Sequence, residues 1–327
     1  MKKTIIAAAV AASVAAPAAF ADVTVYGKLH TSLNDGEIGV NAGTVAATAD
    51  GESMESNASR IGVKGSEDLG NGMSVFFLNE FGMETAEGTN GLTARDAYVG
   101  IDTGMGKLSF GRMAGATKAA AYNGNASITD TNSDADYMSS FAGKNDRHNN
   151  VSAYTNSFNG VDVTLAFAGN DTDDNFANTS IGVSTTIGGI KVAVANLNSD
   201  GNGKDETVVS AKGSFGDLTV GLIWDDAEQV GTNKIFNIAL PAGDNDVETK
   251  GISTAYKMGN NVISVSYADV DADIAGTQVD GEATHVSFQH KLSKKSSVYV
   301  AYGDYEAKSG GTTVDGNNTS IGLIHSF

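Results

Sequence analysis

The strongest constraint on this chain is the rhythm of its connections. From Val23 onward, runs of about ten residues rich in Val, Ile, Thr, Tyr and Phe recur, each closed by Gly, Asn, Asp or Ser. They fall at 23–33, 57–66, 72–84, 91–102, 106–113, 147–157, 161–169, 178–187, 190–198, 206–215, 217–226, 247–257, 261–270, 281–291, 297–306 and 318–327, sixteen in all. The links between them alternate strictly. Short ones lie at 67–71, 103–105, 159–160, 188–189, 216, 259–260 and 293–296; long ones span 34–56, 85–90, 114–146, 170–177, 199–205, 227–246, 271–279 and 307–317. A soluble sandwich gives no reason to gather every short turn at one end. A closed antiparallel barrel threaded through a membrane does, with tight turns on one side, long loops on the other and an even strand number.

Side-chain periodicity agrees. Val161, Val163, Leu165 and Phe167 share one face of their strand, and Asp162, Thr164 and Ala166 share the other. Val23, Val25 and Leu29 likewise oppose Thr24, Tyr26, Lys28, His30 and Ser32. Such strands set an apolar face against lipid and a polar face against water inside the barrel. Run 72–84 departs from this: Met73, Val75, Phe77 and Phe81 line one face, yet Phe76 and Leu78 lie on the other. A strand apolar on both faces implies packing on both sides.

The first residues read as an export signal. Lys2 and Lys3 precede an apolar stretch, Ile5 to Ala16, then Pro17 and the small residues Ala19 and Ala21. Cleavage after Ala21 would leave 22–327 as one all-β barrel domain. Past that segment no apolar run approaches the roughly 20 residues of a membrane helix. With 40 glycines, two prolines and no cysteine, the composition suits many strands joined by turns and excludes disulfide or thiolate sites.

The processed chain carries 19 basic residues (21 less Lys2 and Lys3) against 39 acidic ones. The eight long connections together hold a net charge of −16, so most of the excess acid is expected on the outer rim. A solvated surface accounts for that without any function; equally, carboxylates at a mouth concentrate cations within a Debye length of about 8 Å. They also offer sites for divalent cations bridging to lipopolysaccharide phosphates. Nucleic acid is not an expected partner at this charge.

Several blocks carry a family likeness. Val25-Tyr26-Gly27-Lys28, the long block Ser59-Arg60-Ile61-Gly62-Val63-Lys64-Gly65-Ser66-Glu67-Asp68-Leu69-Gly70-Asn71-Gly72, Arg95-Asp96-Ala97-Tyr98-Val99-Gly100, Phe110-Gly111-Arg112 and Gly322 to Phe327 resemble the general (non-specific) porins of Gram-negative outer membranes, most of all the neisserial branch. The resemblance implies a homotrimer of sixteen-stranded barrels, embedded in outer-membrane lipid, whose third long loop folds inward. It implies passive diffusion of small hydrophilic solutes and ions past a constriction of basic wall residues facing acidic loop residues. The wall positions are Lys28, Arg60, Arg95 and Arg147, with Lys64 on the same face as Arg60; the loop offers Asp130, Asp134 and Asp136. Parity supports Lys28, Arg60 and Lys64 and is indecisive for Arg95 and Arg147, because Val99 and Val151 share their phases. Arg112 shares parity with Leu108 and Phe110, which places it outside, at a trimer contact with Glu87 of a neighbour's second loop. Phe327 matches the family's C-terminal assembly signal.

Other chemistry finds no support. Asp171-Thr172-Asp173-Asp174-Asn175 begins like a calcium loop but puts Phe176 where glycine is required. His285 and His290 are five apart on a strand, hence on opposite faces, and cannot share a metal. No nucleophile elbow, phosphate loop or zinc motif is present, and no enzyme activity or cofactor is expected. The alternative is a dedicated channel with a saturable solute site, which predicts a run of lumen aromatics; the chain has one tryptophan, Trp224. Rim acid favours cations and wall base favours anions, and their balance predicts a weak cation preference.

Overall fold

The computed structural model describes residues 22–42, 45–88, 91–126, 147–169, 176–199, 204–231, 234–235, 238–239 and 243–327. The expected export signal, 1–21, lies outside them. The elements in chain order are β1 (Asp22–Ala42), β2 (Val45–Ser56), β3 (Arg60–Gly70), β4 (Met73–Gly82), β5 (Thr93–Asp102), β6 (Lys107–Ala114), helix α1 (Ala116–Gly124), β7 (Arg147–Phe158), β8 (Val161–Gly169), β9 (Phe176–Ile187), β10 (Ile190–Ser199), β11 (Lys204–Phe215), β12 (Leu218–Gly231), the two-residue pair β13 (Lys234–Ile235) and β14 (Ile238–Ala239), β15 (Gly243–Met258), β16 (Asn261–Ile274), β17 (Thr277–Lys291), β18 (Ser296–Ser309) and β19 (Thr312–Ser326).

Every neighbour in the large sheet is antiparallel, and β1 meets both β3 and β19, so the sheet closes on itself. β2 and β3 are two halves of one staff: β1 pairs with β3 from Asp22 to Lys28 and with β2 from Thr31 to Ala42. Counted that way the barrel has sixteen strands, as the connection rhythm predicts. Between the halves, Ser59 Oγ donates to the His30 carbonyl and accepts the His30 N–H, standing in for the missing ladder.

The seam is fastened at the chain's last residue. Phe327 exchanges both backbone hydrogen bonds with Gly27, at 3.1 and 3.3 Å. Its ring covers Gly27 so closely that any Cβ there would strike it.

The observed strands match the expected ones at the turn end and outrun them at the loop end. Links read as 34–56, 271–279 and 307–317 are largely strand: β1 and β2 continue to residues 42 and 45, β16 and β17 meet at Ala275-Gly276, and β18 and β19 at Gly310-Gly311. Turn residues inside polar, alternating segments look like loop to a propensity rule, whereas pairing with a long neighbour satisfies their backbone in register.

Alternation is cleanest in β16. Val262, Ser264, Ser266, Ala268, Val270, Ala272 and Ile274 point inward and are buried, while Ile263, Val265 and Tyr267 point outward and are exposed. The same outward face continues as Asp269, Asp271 and Asp273. The change of chemistry marks where lipid must stop, because a carboxylate has no partner in hydrocarbon. A ring stands at that border on three strands. Trp224 Nε1 donates to Glu248 at 2.8 Å, the Tyr267 hydroxyl to Glu282 at 3.1 Å, and the Tyr302 hydroxyl to Asp304 at 3.5 Å. Amphipathic rings favour this depth, with an apolar body in lipid and a polar edge above it.

Candidate pore constriction

The third long link enters the barrel. Residues 116–126 run along the inner wall of β9 to β15, and α1 buries Ala116, Ala120 and Ala121 against Ala193, Ala195, Val208 and Ile223. Polar wall groups hold its backbone: Ala116 N–H reaches Ser180 Oγ at 2.9 Å, Ser210 Oγ donates to Ala120 O at 2.6 Å, and Ala126 N–H reaches Ser253 Oγ at 2.7 Å. Lys212 Nζ donates to the carbonyls of Tyr122 and Asn125, at the end of the helix where carbonyls lack intrahelical partners. The chain passes so near β12 that a side chain at Gly221 would collide with the Gly124 carbonyl. Only glycine permits that approach. Sequence periodicity gave no helix here. Its signal is the alanine-rich segment 116–121, which favours helix once a wall of small residues receives it.

The predicted bases lie across the barrel from α1, on β1 and β3 to β7. Lys28 and Arg60 are paired neighbours in register, on the face opposite exposed Leu29. Lys64 is exposed, with Nζ over the Tyr26 ring at 5.3 Å. Arg95 faces inward although Val99, which has the same sequence parity, is exposed outward. A β-bulge explains this: Asn79 pairs with Ala97 but Phe81 with Ala94, so Arg95 and Asp96 both stand opposite Glu80. A second irregularity between Gly111 and Met113 shifts the register of β7 by one residue, so inward, buried Val151 pairs with Gly111 while Arg147 pairs with Ala114, and their shared sequence parity does not put them on one face.

What the bases touch is the unforeseen part. Glu80, 8% exposed, receives Arg95 Nε at 2.5 Å and the Tyr26 hydroxyl at 2.9 Å, with Arg60 Nε at 3.7 Å. Arg147 is 12% exposed and donates through Nε to Asp96 at 3.0 Å. Charge-assisted pairs of this kind are short and directional. The wall thus carries two carboxylates of its own among five bases. Sequence reasoning passed over both: Glu80 is a lone acid in an apolar strand, and Asp96 adjoins the base that drew attention. The third-loop acids Asp130, Asp134 and Asp136 lie outside the described residues.

Strand β4 is apolar on both faces for a visible reason. Inward Phe76 meets Tyr98 edge-on at 6.4 Å, and Lys107 Nζ lies 5.7 Å from the Phe76 ring. Arg112 lies on the outward parity of β6, beside exposed Leu108 and Phe110. Its Nη1 donates to the Arg147 carbonyl at 3.0 Å and to Asn149 Oδ1 at 2.7 Å, strapping β6 to β7. Glu87 is exposed in the link after β4. His285 is buried inward and His290 faces out against Asn261, so the two histidines are on opposite sides, as parity requires. Among the described residues no cluster of His, Asp and Glu is arranged to hold a metal ion.

A family model for Gram-negative porins matches residues 7–310. The chain belongs to the Gram-negative porin family. As such it is an outer-membrane β-barrel, and the family's members are channels rather than enzymes. The porin is 37% identical over 114 residues to the major outer membrane protein P.IB of Neisseria meningitidis serogroup A, and 33% identical over 127 residues to P.IB of Neisseria gonorrhoeae. Those alignments cover 35% and 38% of the porin and 34% and 36% of the relatives, about a third of each. Among solved structures it resembles the trimer form of OmpT from Vibrio cholerae (TM-score 0.70, 16% identity, 94% and 99% of the two chains). It also resembles the anion-selective porin of Comamonas acidovorans (0.68, 16%, 94% and 100%) and Salmonella typhi OmpF in complex with daunomycin (0.71, 16%, 93% and 97%). At those identities the likeness is one of fold.

Proposed function

We propose that the porin, after loss of residues 1–21, assembles as a homotrimer whose barrels pass small hydrophilic solutes and ions by passive diffusion. The observation that carries this reading is the placement of two surfaces: bases on β1 and β3 to β7, and an inward-folded loop docked across the lumen on β9 to β15. Solutes cross between them. Asp130, Asp134 and Asp136, which follow Ala126 in sequence, supply the acid side of a transverse field, and Lys28, Arg60, Lys64, Arg95 and Arg147 the basic side. Rim acid outweighs the partly cancelled wall and gives a weak cation preference. Lipid covers the outward apolar band, and lipopolysaccharide meets the carboxylates above it. Arg112 and Glu87 lie at the subunit contact, and Phe327 serves assembly as well as closure.

Planar bilayer recording tests this. Purified protein should insert in events of three equal, ohmic conductance steps, with reversal potentials in a KCl gradient of the cation-preferring sign. Complete absence of conductance would overturn it. Current that saturates with one class of solute would favour the alternative of a dedicated solute channel.

A further inference from the structure

We propose that Glu80 is a specificity-determining residue of the channel. Its carboxylate holds Arg60 and Arg95 against the wall and cancels part of their charge, so that the wall draws anions less than its number of bases implies. The proposal rests on the constriction reading above and adds a residue to it.

The geometry is specific. Both carboxylate oxygens are engaged, Oε1 by Arg95 Nε at 2.5 Å and Oε2 by the Tyr26 hydroxyl at 2.9 Å and Arg60 Nε at 3.7 Å. The side chain is on the inward parity of β4, yet it is only 8% exposed, because its partners cover it. Arg95 and Arg60 keep 21% and 29% of their side chains exposed, so they border the water that Glu80 hardly meets. Tyr26 matters because a neutral donor fixes Oε2 without adding charge. A passing ion within a Debye length of about 8 Å feels the sum of the group rather than any one member. Lys28, Arg60 and Arg95 with Glu80 sum to two positive charges instead of three, and the adjoining Arg147–Asp96 pair sums to none. The β5 bulge is what brings this about, since it places Arg95 directly opposite Glu80.

The test compares wild type, Glu80→Gln, Glu80→Asp and Asp304→Asn in planar bilayers under a KCl gradient. Asp304 faces outward on β18 and loses the same charge away from the lumen. Glu80→Gln should raise the chloride-to-potassium permeability ratio about sevenfold, because one charge at roughly 7 Å through water changes the partitioning of each ion about 2.7-fold and in opposite senses. Glu80→Asp should keep the wild-type ratio, and Asp304→Asn should leave it unmoved. In 1 M KCl the Debye length falls to about 3 Å and the charge effect fades. There the open-channel conductance of Glu80→Gln should still fall below wild type, because the released guanidiniums extend into the lumen. An unchanged ratio in Glu80→Gln, or an equal change in Asp304→Asn, would overturn the proposal. Should Glu80→Gln fail to assemble, Arg95→Gln takes its place: exposing Glu80 must move the ratio toward potassium, and no movement is again a refutation. Wild-type protein that forms no channels removes the constriction reading itself; conducting protein with unmoved variants removes only the role of Glu80.

Discussion

Asp96 and Arg147 form an ion pair at 3.0 Å, and the same carboxylate accepts the Ala114 N–H at 3.2 Å. Ala114 ends β6 and Arg147 begins β7, and the two are partners in register. One side chain therefore ties together both feet of the inward loop. Asp96→Asn keeps the shape and removes the charge. It should cost about 1.5–3 kcal/mol, the usual worth of a hydrogen bond to a charged group, read as a lower thermal midpoint in detergent. Single-channel records should show added open-state noise. A silent trace with unchanged stability would mean the clamp is incidental.

The helix α1 is seated by close approach. Gly221→Ala forces its Cβ into the Gly124 carbonyl, and overpacking of this kind costs typically about 1–3 kcal/mol. The inward segment should lift off β12, so the conductance of the variant should differ from wild type while strand content by circular dichroism stays the same. Identical conductance would show that the lumen is not shaped by that contact.

Phe327 caps the seam that β1 and β19 form. Phe327→Ala keeps the backbone bonds to Gly27 but removes the ring that covers it. Full truncation of a buried phenylalanine costs about 3–5 kcal/mol. Phe327 is 43% exposed, so about half that range applies here. Folding yield into detergent micelles should drop, measured by the fraction of protein resisting protease. Undiminished yield would assign the seam's strength to the ladder alone.

Glu84 lies in the link after β4, outside the membrane-spanning strands, and accepts the N–H groups of Thr85, Ala86 and Glu87. These bonds, that of Ala86 foremost, hold its carboxyl below the ordinary glutamate value of 4.5. A depressed carboxyl stabilises its surroundings above that ordinary value and ceases to do so as pH falls through the lowered one. Amide exchange at Ala86, corrected for intrinsic rate, should therefore quicken below pH 4.5. In Glu84→Gln it should be fast at every pH. A flat profile in wild type would remove the turn's dependence on charge.

How much of this was legible in the sequence follows from where alternation holds. β8 reads directly, because each residue's face is set by period two and lipid demands an apolar side. Lys28, Arg60 and Lys64 read for the same reason. Arg95 and Arg147 did not, since a bulge inserts one residue and shifts every later phase, and nothing in Thr93 to Ala97 announces it. Glu80 escaped notice because Phe76 and Leu78, on its own face, made the inner side of β4 look like packing surface. The links at 271–279 and 307–317 read as loops in sequence although they are largely strand, because strand that rises into water has no need of apolar residues. Helix α1 was hidden by its brevity: nine residues of modest amphipathicity become helical through docking more than through propensity.

The pairs Trp224–Glu248, Tyr267–Glu282 and Tyr302–Asp304 form a waterline around one flank of the molecule. Each ring is tied to a carboxylate one rung nearer the loop end, so sinking would put a charge into hydrocarbon and rising would put an indole or phenol into water. On this flank the border between lipid and water is thus marked by three ring–carboxylate pairs.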